Sequence, residues 1–317
     1  MKIVIPGGTG QIGAVISRAL HAEHEIVVLS RHPVTNNFHR TVHWDGKNAG
    51  PWMDELDGAD VVMNLTGRSV NCRYNAKNRR EILESRVDSV HAVGNAIKKA
   101  KQPPRVWLQA ATATIYAHRF DSPNDEFGGI IGGNEPGSTE TWRFSIDVAK
   151  AWEAAVKAIG PLPNTRVAVM RSAMTMSPDR GGIFATLLGL VRLGLGGKAG
   201  NGRQFVSWIH EDDFVRVIKW LIEREEFSGV VNVCSPNPLP NADFMRELRR
   251  VWGMPIGLPA AKWMLEIGAV FIRTETELIL KSRRVIPSRL LREGFEFRFP
   301  IWRDAANELC ARYRRSI

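Results

Sequence analysis

At 317 residues, with 44% hydrophobic and 24% charged side chains, the chain has the composition of a globular protein and room for one large α/β domain plus a smaller addition. No apolar run reaches the roughly 18 residues of a membrane span, the best one, Trp263 to Ile272, being interrupted by Glu266; three widely spaced cysteines, Cys72, Cys234 and Cys310, give no zinc spacing. A formal net charge of +10 raises nucleic acid as a partner, yet much of the excess sits in scattered Arg246, Arg249, Arg250, Arg283, Arg284, Arg312, Arg314 and Arg315 without a nucleic-acid motif, so it reads as solvated helix faces with an attraction for anionic ligands.

The chain opens directly into an apolar strand, Ile3 to Ile5, with no leader peptide, which together with the odd cysteine count predicts a cytoplasmic protein. Gly7, Gly8, Gly10 and Gly13 follow, and then a helical pattern with Ile12, Val15, Ile16, Ala19 and Leu20 on one face. Gly8-x-Gly10-x-x-Gly13 between a strand and a helix is the dinucleotide-binding fingerprint. The first glycine permits the turn, the second lets backbone approach a pyrophosphate, and the third lets the helix pack closely. The helix N-terminus then offers free N–H groups and a positive dipole end to the phosphates. The second strand, Ile26 to Leu29, ends in Ser30 and Arg31, where NAD-binding versions place Asp or Glu to bond both ribose hydroxyls. A carboxylate would repel a 2′-phosphate and a guanidinium beside a hydroxyl would bind it, so the expected cofactor is NADP(H).

A third strand, Thr41 to Trp44, ends at Asp45, and a fourth, Asp60 to Leu65, runs into Thr66 and Gly67. These last residues should border the cofactor, because ligands lie beyond the carboxyl ends of parallel strands. Ile82, Val90, Val93 and Ile97 predict a long helix from about Ala76 to Ala100. Its first turns carry Lys77, Arg79, Arg80, Glu81 and Arg86; cations there oppose the helix dipole, and a nearby anionic ligand or plain exposure explains them equally well. A fifth strand, Arg105 to Ala111, leads through Thr112 to Tyr116 into a glycine- and proline-bearing segment, Ala117 to Thr141, that reads as a loop over the site. A helix near Phe144 to Ile159 and a sixth strand, Thr165 to Arg171, complete a pattern that predicts a doubly wound parallel α/β sheet. Beyond Ser177, glycines bracket a helix; then come Phe205 to His210, a helix from Glu211 to Arg224 and a strand at Val230 to Cys234. Pro236, Pro238 and Pro240 mark a boundary. The expected domains are 1–235 and a smaller, mainly helical 236–317, with stripes at Phe244, Leu248 and Trp252 and at Leu278 and Leu291.

Several stretches carry a family resemblance: GGTGQIG (Gly7 to Gly13), LSR (Leu29 to Arg31), NLTG (Asn64 to Gly67), EILESR (Glu81 to Arg86) and KAWEAA (Lys150 to Ala155). GNGRQFVSWIHEDD (Gly200 to Asp213), PNPLPNADF (Pro236 to Phe244) and VIPSRLLREGFEFRFP (Val285 to Pro300) extend it over essentially the whole chain. On these motifs the chain resembles the atypical, extended short-chain dehydrogenase/reductases, and more narrowly the epimerase-family proteins that join an NADP-binding Rossmann core to a small C-terminal domain of unassigned function. The resemblance implies cofactor contacts from Gly7, Gly8, Thr9, Gly10, Gln11, Ile12 and Gly13, from Ser30 and Arg31, and from Leu65, Thr66 and Gly67. It also implies contacts from Glu81 and Arg86 and from the segment near Thr175.

Working members of that superfamily use a Tyr-x-x-x-Lys pair, in which lysine lowers the tyrosine pKa, with a Ser or Thr on the fifth strand. Four residues after Tyr74, Tyr116 and Tyr313 come Asn78, Phe120 and Ile317, and four before Lys150 stands Ile146, so the relay is incomplete. The candidates left for chemistry are Thr112, Tyr116, Lys150 and His210, the last having the unperturbed pKa nearest neutrality. The plainer readings are a pocket wall for Tyr116 and a hydrogen-bonded core residue for His210. The segment Gly200 to Asp213 is expected to form the far wall of a substrate pocket, with Arg203, Gln204 and Trp208 facing the substrate; the alternative is that Trp208 and His210 pack between two lobes. Two functions stay open: an NADP(H)-dependent oxidoreductase or epimerase-like enzyme on a small anionic metabolite, and a catalytically weak NADP(H)-binding regulatory protein. No metal, nucleic-acid or membrane partner is expected, and the oligomeric state is open, a homodimer included.

Overall fold

Alternate residues of the first strand face opposite layers, Ile3 and Ile5 entering one buried core and Val4 another. A computed structural model describes residues 1–32, 36–261 and 277–315 and carries that division across a seven-stranded parallel sheet. In chain order the strands are β1 (Lys2–Pro6), β2 (Glu25–Ser30), β3 (Arg40–His43), β4 (Val61–Asn64), β5 (Val106–Thr112), β6 (Arg166–Ser172), β7 (Met174–Met176), β8 (Phe205–Val206), β9 (Trp208–His210), β10 (Gly229–Val233) and β11 (Leu239–Pro240). The large sheet runs β10-β6-β5-β4-β1-β2-β3, while β7 pairs with β9 and β8 with β11.

Helices α1 (Gln11–Leu20) and α5 (Glu211–Glu223) cover one face through Val15, Ile16, Leu20, Phe214, Ile218 and Leu221. Helices α2 (Ala76–Lys99) and α3 (Glu140–Ile159) cover the other through Val90, Val93, Ile97, Trp152 and Ile159. The sheet is thus doubly wound, as the alternation of strands and helices implies. Helix α3 begins a turn earlier than its apolar stripe, because Thr139 caps it by accepting the N–H of Trp142 at 3.3 Å. Asn75 does the same for α2, accepting from Asn78 at 2.8 Å.

Helices α4 (Ile183–Arg192) and α6 (Asn241–Trp252) form a smaller lobe with α9 (Trp302–Arg315), and the short helices α7 (Glu277–Leu280) and α8 (Ser288–Arg292) come between α6 and α9 in the chain. The lobe's own core gathers Phe184, Leu188, Val206, Trp208, Phe244, Leu248, Trp302 and Leu309, drawing on residues from both sides of the proline segment. Leu290 of α8 and Phe295 return to the core of the main sheet. The run Trp263 to Ile272 and the side chain of Leu278 lie outside the described residues. Among the described residues no helix is long and apolar enough to cross a membrane, and no group of His, Cys, Asp and Glu is placed to hold a metal. The three cysteines are free, and burial pushes the Cys310 thiol up to about 11.

Candidate functional site

The sheet reverses its winding between β1 and β4, and the turns that follow these strands meet there. Leu65 donates its N–H to the Pro6 carbonyl at 2.9 Å, and a Cβ on Gly7 would lie 2.7 Å from Cα of Thr66. A cleft of about 590 Å³ opens above, lined by Gly7, Thr9 and Gly10, by Ser30, Arg31 and His32, and by Thr66 and Gly67. Ligands of parallel sheets sit at this kind of switch point. Helix α1 starts at Gly10 with no side-chain cap and no acid in its first turn, which leaves its N–H groups and positive end for an anion. A Cβ on Gly13 would stand 2.1 Å from the Gly8 carbonyl oxygen, whereas one on Gly10 would meet no protein atom within 4 Å. Gly8 and Gly13 therefore serve the packing of the turn, and Gly10 leaves space on the cleft side. Gln11 lies against Gly182, its buried amide nitrogen lacking a partner among the described residues, and Ile12 packs on the sheet's core.

At the end of β2 the Ser30 hydroxyl stands 3.3 Å from that of Thr9 and donates to the His32 carbonyl at 3.1 Å. Arg31 is exposed and, among the described residues, makes no hydrogen bond or ion pair. Beside it, Trp44, Asp45, Gly46 and Lys47 line the same cleft. These residues follow β3 as Thr66 and Gly67 follow β4, and they border the cleft because both sets lie beyond the carboxyl ends of parallel strands.

The loop after β4 is held from beneath. Buried Asn64 accepts the N–H of Thr66 at 3.1 Å and donates to Gln109 at 3.0 Å. Arg86 donates to the carbonyls of Arg68 at 3.1 Å and Ile82 at 2.9 Å and lies over the Trp152 ring, 5.0 Å from its centre; burial lowers its pKa to about 10. It supports the loop and is not among the residues that line the cleft. Glu81 does line the cleft, paired with Arg68. Leu65 packs on the core of the sheet, and Thr175 is buried on β7 in register with Ile209.

The catalytic and substrate candidates separate into two groups. Thr112 and Lys150 are half-buried. Thr112 accepts the Thr114 N–H at 3.2 Å. The Lys150 ammonium stands beside Gly133 with no partner among the described residues. Tyr116, by contrast, is buried with its phenol fully engaged, accepting from Arg171 at 2.9 Å and donating to Asn232 at 3.0 Å. His210 is fully buried at the start of α5, where Nδ1 accepts the Asp212 N–H at 3.0 Å, Nε2 meets Glu308 at 2.9 Å, and the ring stacks on Phe299. Burial takes its pKa down to about 3 despite Asp212, with Arg312 and Arg298 acting in the same direction as burial.

Trp208 is equally buried, edge-on to Trp302 at 5.0 Å, and donates to the Asn237 carbonyl at 3.2 Å. Buried Gln204 donates to the carbonyls of Ala199 and Ile279. The expected substrate-facing wall is corrected at these positions: Trp208, His210 and Gln204 are buried, and the indole N–H, both imidazole nitrogens and the Gln204 amide nitrogen are met by protein. Arg203 alone of that set is exposed, over Phe120.

The model of the NAD dependent epimerase/dehydratase family matches residues 3–234, and that of a domain of unknown function (DUF1731) matches residues 260–309. The epimerase family protein SDR39U1 of Bos taurus is 31% identical over 316 residues, covering 98% of this chain and all (100%) of the relative. The epimerase family protein YfhF of Bacillus subtilis (strain 168) is 29% identical, covering 98% of each chain. The crystal structure of human epimerase family protein SDR39U1 (isoform 2) with NADPH has a TM-score of 0.83 at 29% identity, covering 98% of this chain and 99% of that one.

Proposed function

The chain belongs to the NAD-dependent epimerase/dehydratase family, and we propose that it is an NADP(H)-dependent oxidoreductase or epimerase-like enzyme acting on a small anionic metabolite without a Tyr-x-x-x-Lys relay. The observation that carries this reading is the end of β2, where Ser30 and Arg31 face the cleft in the place of an acid. The human relative crystallised with NADPH supports it. The residues fit that cofactor: the uncapped end of α1 suits a pyrophosphate, and the Arg31 guanidinium and Ser30 hydroxyl suit a 2′-phosphate. Bound NADP(H) supplies or accepts a hydride. The chain itself then has to orient the substrate and hold a proton; Thr112 is the group left to hold the proton, and Lys150 is left to hydrogen-bond a ligand or supply local charge. The Thr112 oxygen accepts a backbone N–H and keeps its own proton to donate. Lys150 and Arg203 lack carboxylate partners among the described residues, which favours an anionic substrate.

Engagement of both Tyr116 and His210 favours a second reading, a catalytically weak NADP(H)-binding regulatory protein. Titration of the full chain with NADPH, followed by nicotinamide absorbance over a panel of anionic carbonyl compounds, separates the two. Steady oxidation of NADPH with any member supports the enzyme. Tight NADPH binding without turnover across the panel supports the regulator, and no NADPH binding overturns both.

A further inference from the structure

We propose that Lys47, on the turn after β3, closes the 2′-phosphate site opposite Arg31 and so helps set a preference for NADP(H) over NAD(H); this rests on the cofactor reading above. Strands β2 and β3 are neighbours with Ser30 level with His43, so residues 31 and 44 leave the sheet side by side. Arg31, His32, Trp44, Asp45, Gly46 and Lys47 line one cleft as a result. The turn is built rather than loose. One oxygen of Asp45 accepts the N–H groups of Lys47 at 3.0 Å and Asn48 at 2.9 Å, and the other accepts the Asn48 amide at 2.5 Å. Gly46 has φ +94°, a conformation that side chains disfavour, and the Asn48 carbonyl accepts from both Trp44 at 3.2 Å and Trp52 at 2.8 Å. The Asp45 carboxylate is thereby committed to the turn, and the Lys47 side chain is left exposed.

Charge decides where a phosphate would settle. A phosphomonoester carries about −1.5 to −2 at neutral pH, more than one guanidinium offsets. Among the described residues the Lys47 ammonium has no hydrogen bond or ion pair, as is true of Arg31, whereas the third cation of the cleft, Arg68, is engaged by Glu81 and Asn78. Glu84 and Asp88 line the cleft from α2 and repel phosphate, whereas on the other side Arg31 and Lys47 together outweigh the one carboxylate there, Asp45, which is bonded within its turn. A flexible ammonium needs no fixed fork geometry, which suits an exposed turn. The competing anions are Asp45, whose carboxylate on the same turn already feels the Lys47 charge, and Asp88, with which Lys47 lines a second, smaller hollow.

The test measures dissociation constants of the full chain for NADPH and NADH by nicotinamide fluorescence, and for adenosine 2′,5′-bisphosphate and 5′-AMP by competition. Lys47→Ala should weaken NADPH and the bisphosphate about tenfold (about 1.4 kcal/mol), leave NADH and AMP within about twofold, and keep the melting temperature. Lys47→Arg should restore the preference, and added salt should narrow it in the unaltered chain. Unchanged NADPH affinity in Lys47→Ala, or equal losses for NADPH and NADH, overturns the role of Lys47. An unaltered chain that shows no preference for NADPH overturns the cofactor reading itself, which is a different result.

Discussion

The guanidinium of Arg171 donates to the phenol oxygen of Tyr116 at 2.9 Å and lies over its ring, while Glu153 receives the other edge of the same guanidinium in two bonds of 2.7 Å. Asn232 completes the chain by accepting from the phenol at 3.0 Å. Strands β6 and β10, helix α3 and the segment that follows β5 are thus joined by one buried network. The arginine charge is met by Glu153 in bidentate geometry, which favours a rigid arrangement. Burial raises the Tyr116 pKa even with Arg171 alongside, so the phenol stays protonated and is no base.

Tyr116→Phe should therefore act on stability. It removes one donor and one acceptor from a buried network, with an expected loss of about 1–3 kcal/mol. Urea unfolding should show this loss, and the NADPH dissociation constant of the folded fraction should stay within about twofold. Loss of turnover at unchanged stability is the outcome that would return Tyr116 to the chemistry.

His210 links pH to the joining of the lobes. The unfolded chain binds a proton below the ordinary histidine value of about 6.5, and the folded chain, with His210 taken down to about 3, does not. The stability contributed by the neutral ring is accordingly complete above pH 6.5 and falls as pH drops, by up to about 1.4 kcal/mol per unit. Burial lowers His39 and His118 as well, in the same sense. His210→Gln should be less stable at pH 8 by about 1–3 kcal/mol, with a shallower decline than the unaltered chain between pH 6.5 and 5 and an unchanged NADPH affinity at pH 8. A flat stability profile for the unaltered chain over that interval contradicts a neutral His210.

Residues whose position is fixed by local geometry were legible in the sequence, and residues whose contacts depend on a distant partner were not. Gly13 is readable because strand, turn and helix are consecutive, and the structure puts the Gly8 carbonyl where its side chain would be. That Ser30 and Arg31 border the cleft is readable because the end of β2 is a fixed distance along the chain. His210 and Trp208 sit in a polar, glycine-bearing stretch that looks like a pocket wall, but Glu308, Phe299 and Trp302, nearly a hundred residues later, enclose them. Arg171 and Glu153 are 18 residues apart on a strand and a helix, and no periodicity announces that they pair. That Lys47 borders the cleft was hidden for a different reason: β3 is only four residues long, and its turn has no motif beyond an Asp-Gly pair.

Arg31→Ala should weaken NADPH about tenfold to a hundredfold, since a charge-assisted hydrogen bond contributes on the order of 1.5–3 kcal/mol. NADH should be nearly unaffected, because no carboxylate at this strand end bonds its free ribose hydroxyl. Fluorescence titration with both cofactors checks the assignment, and equal losses for the two would sink it.

Lys150 offers the sharpest division between cofactor binding and chemistry. In tyrosine-dependent relatives the lysine lowers a phenol pKa, but here the position four residues earlier is Ile146, fully buried and packed toward Gly132 and Gly133. With no phenol to activate, the Lys150 ammonium can only hydrogen-bond a ligand or supply local charge, and beside Gly133 it is left without a protein partner among the described residues to compete for it. Replacement by methionine keeps much of the stem's packing and removes the charge. Lys150→Met should then weaken NADPH by about threefold to tenfold, the worth of one ordinary hydrogen bond of about 0.5–1.5 kcal/mol, and should change any turnover number less than that. Single-turnover and equilibrium measurements on the same preparation separate the two effects. If Lys150→Met abolishes turnover while NADPH binds with its original affinity, the lysine moves or stabilises a proton in the reaction, and Thr112, on the neighbouring strand end, becomes the first residue to test as its partner.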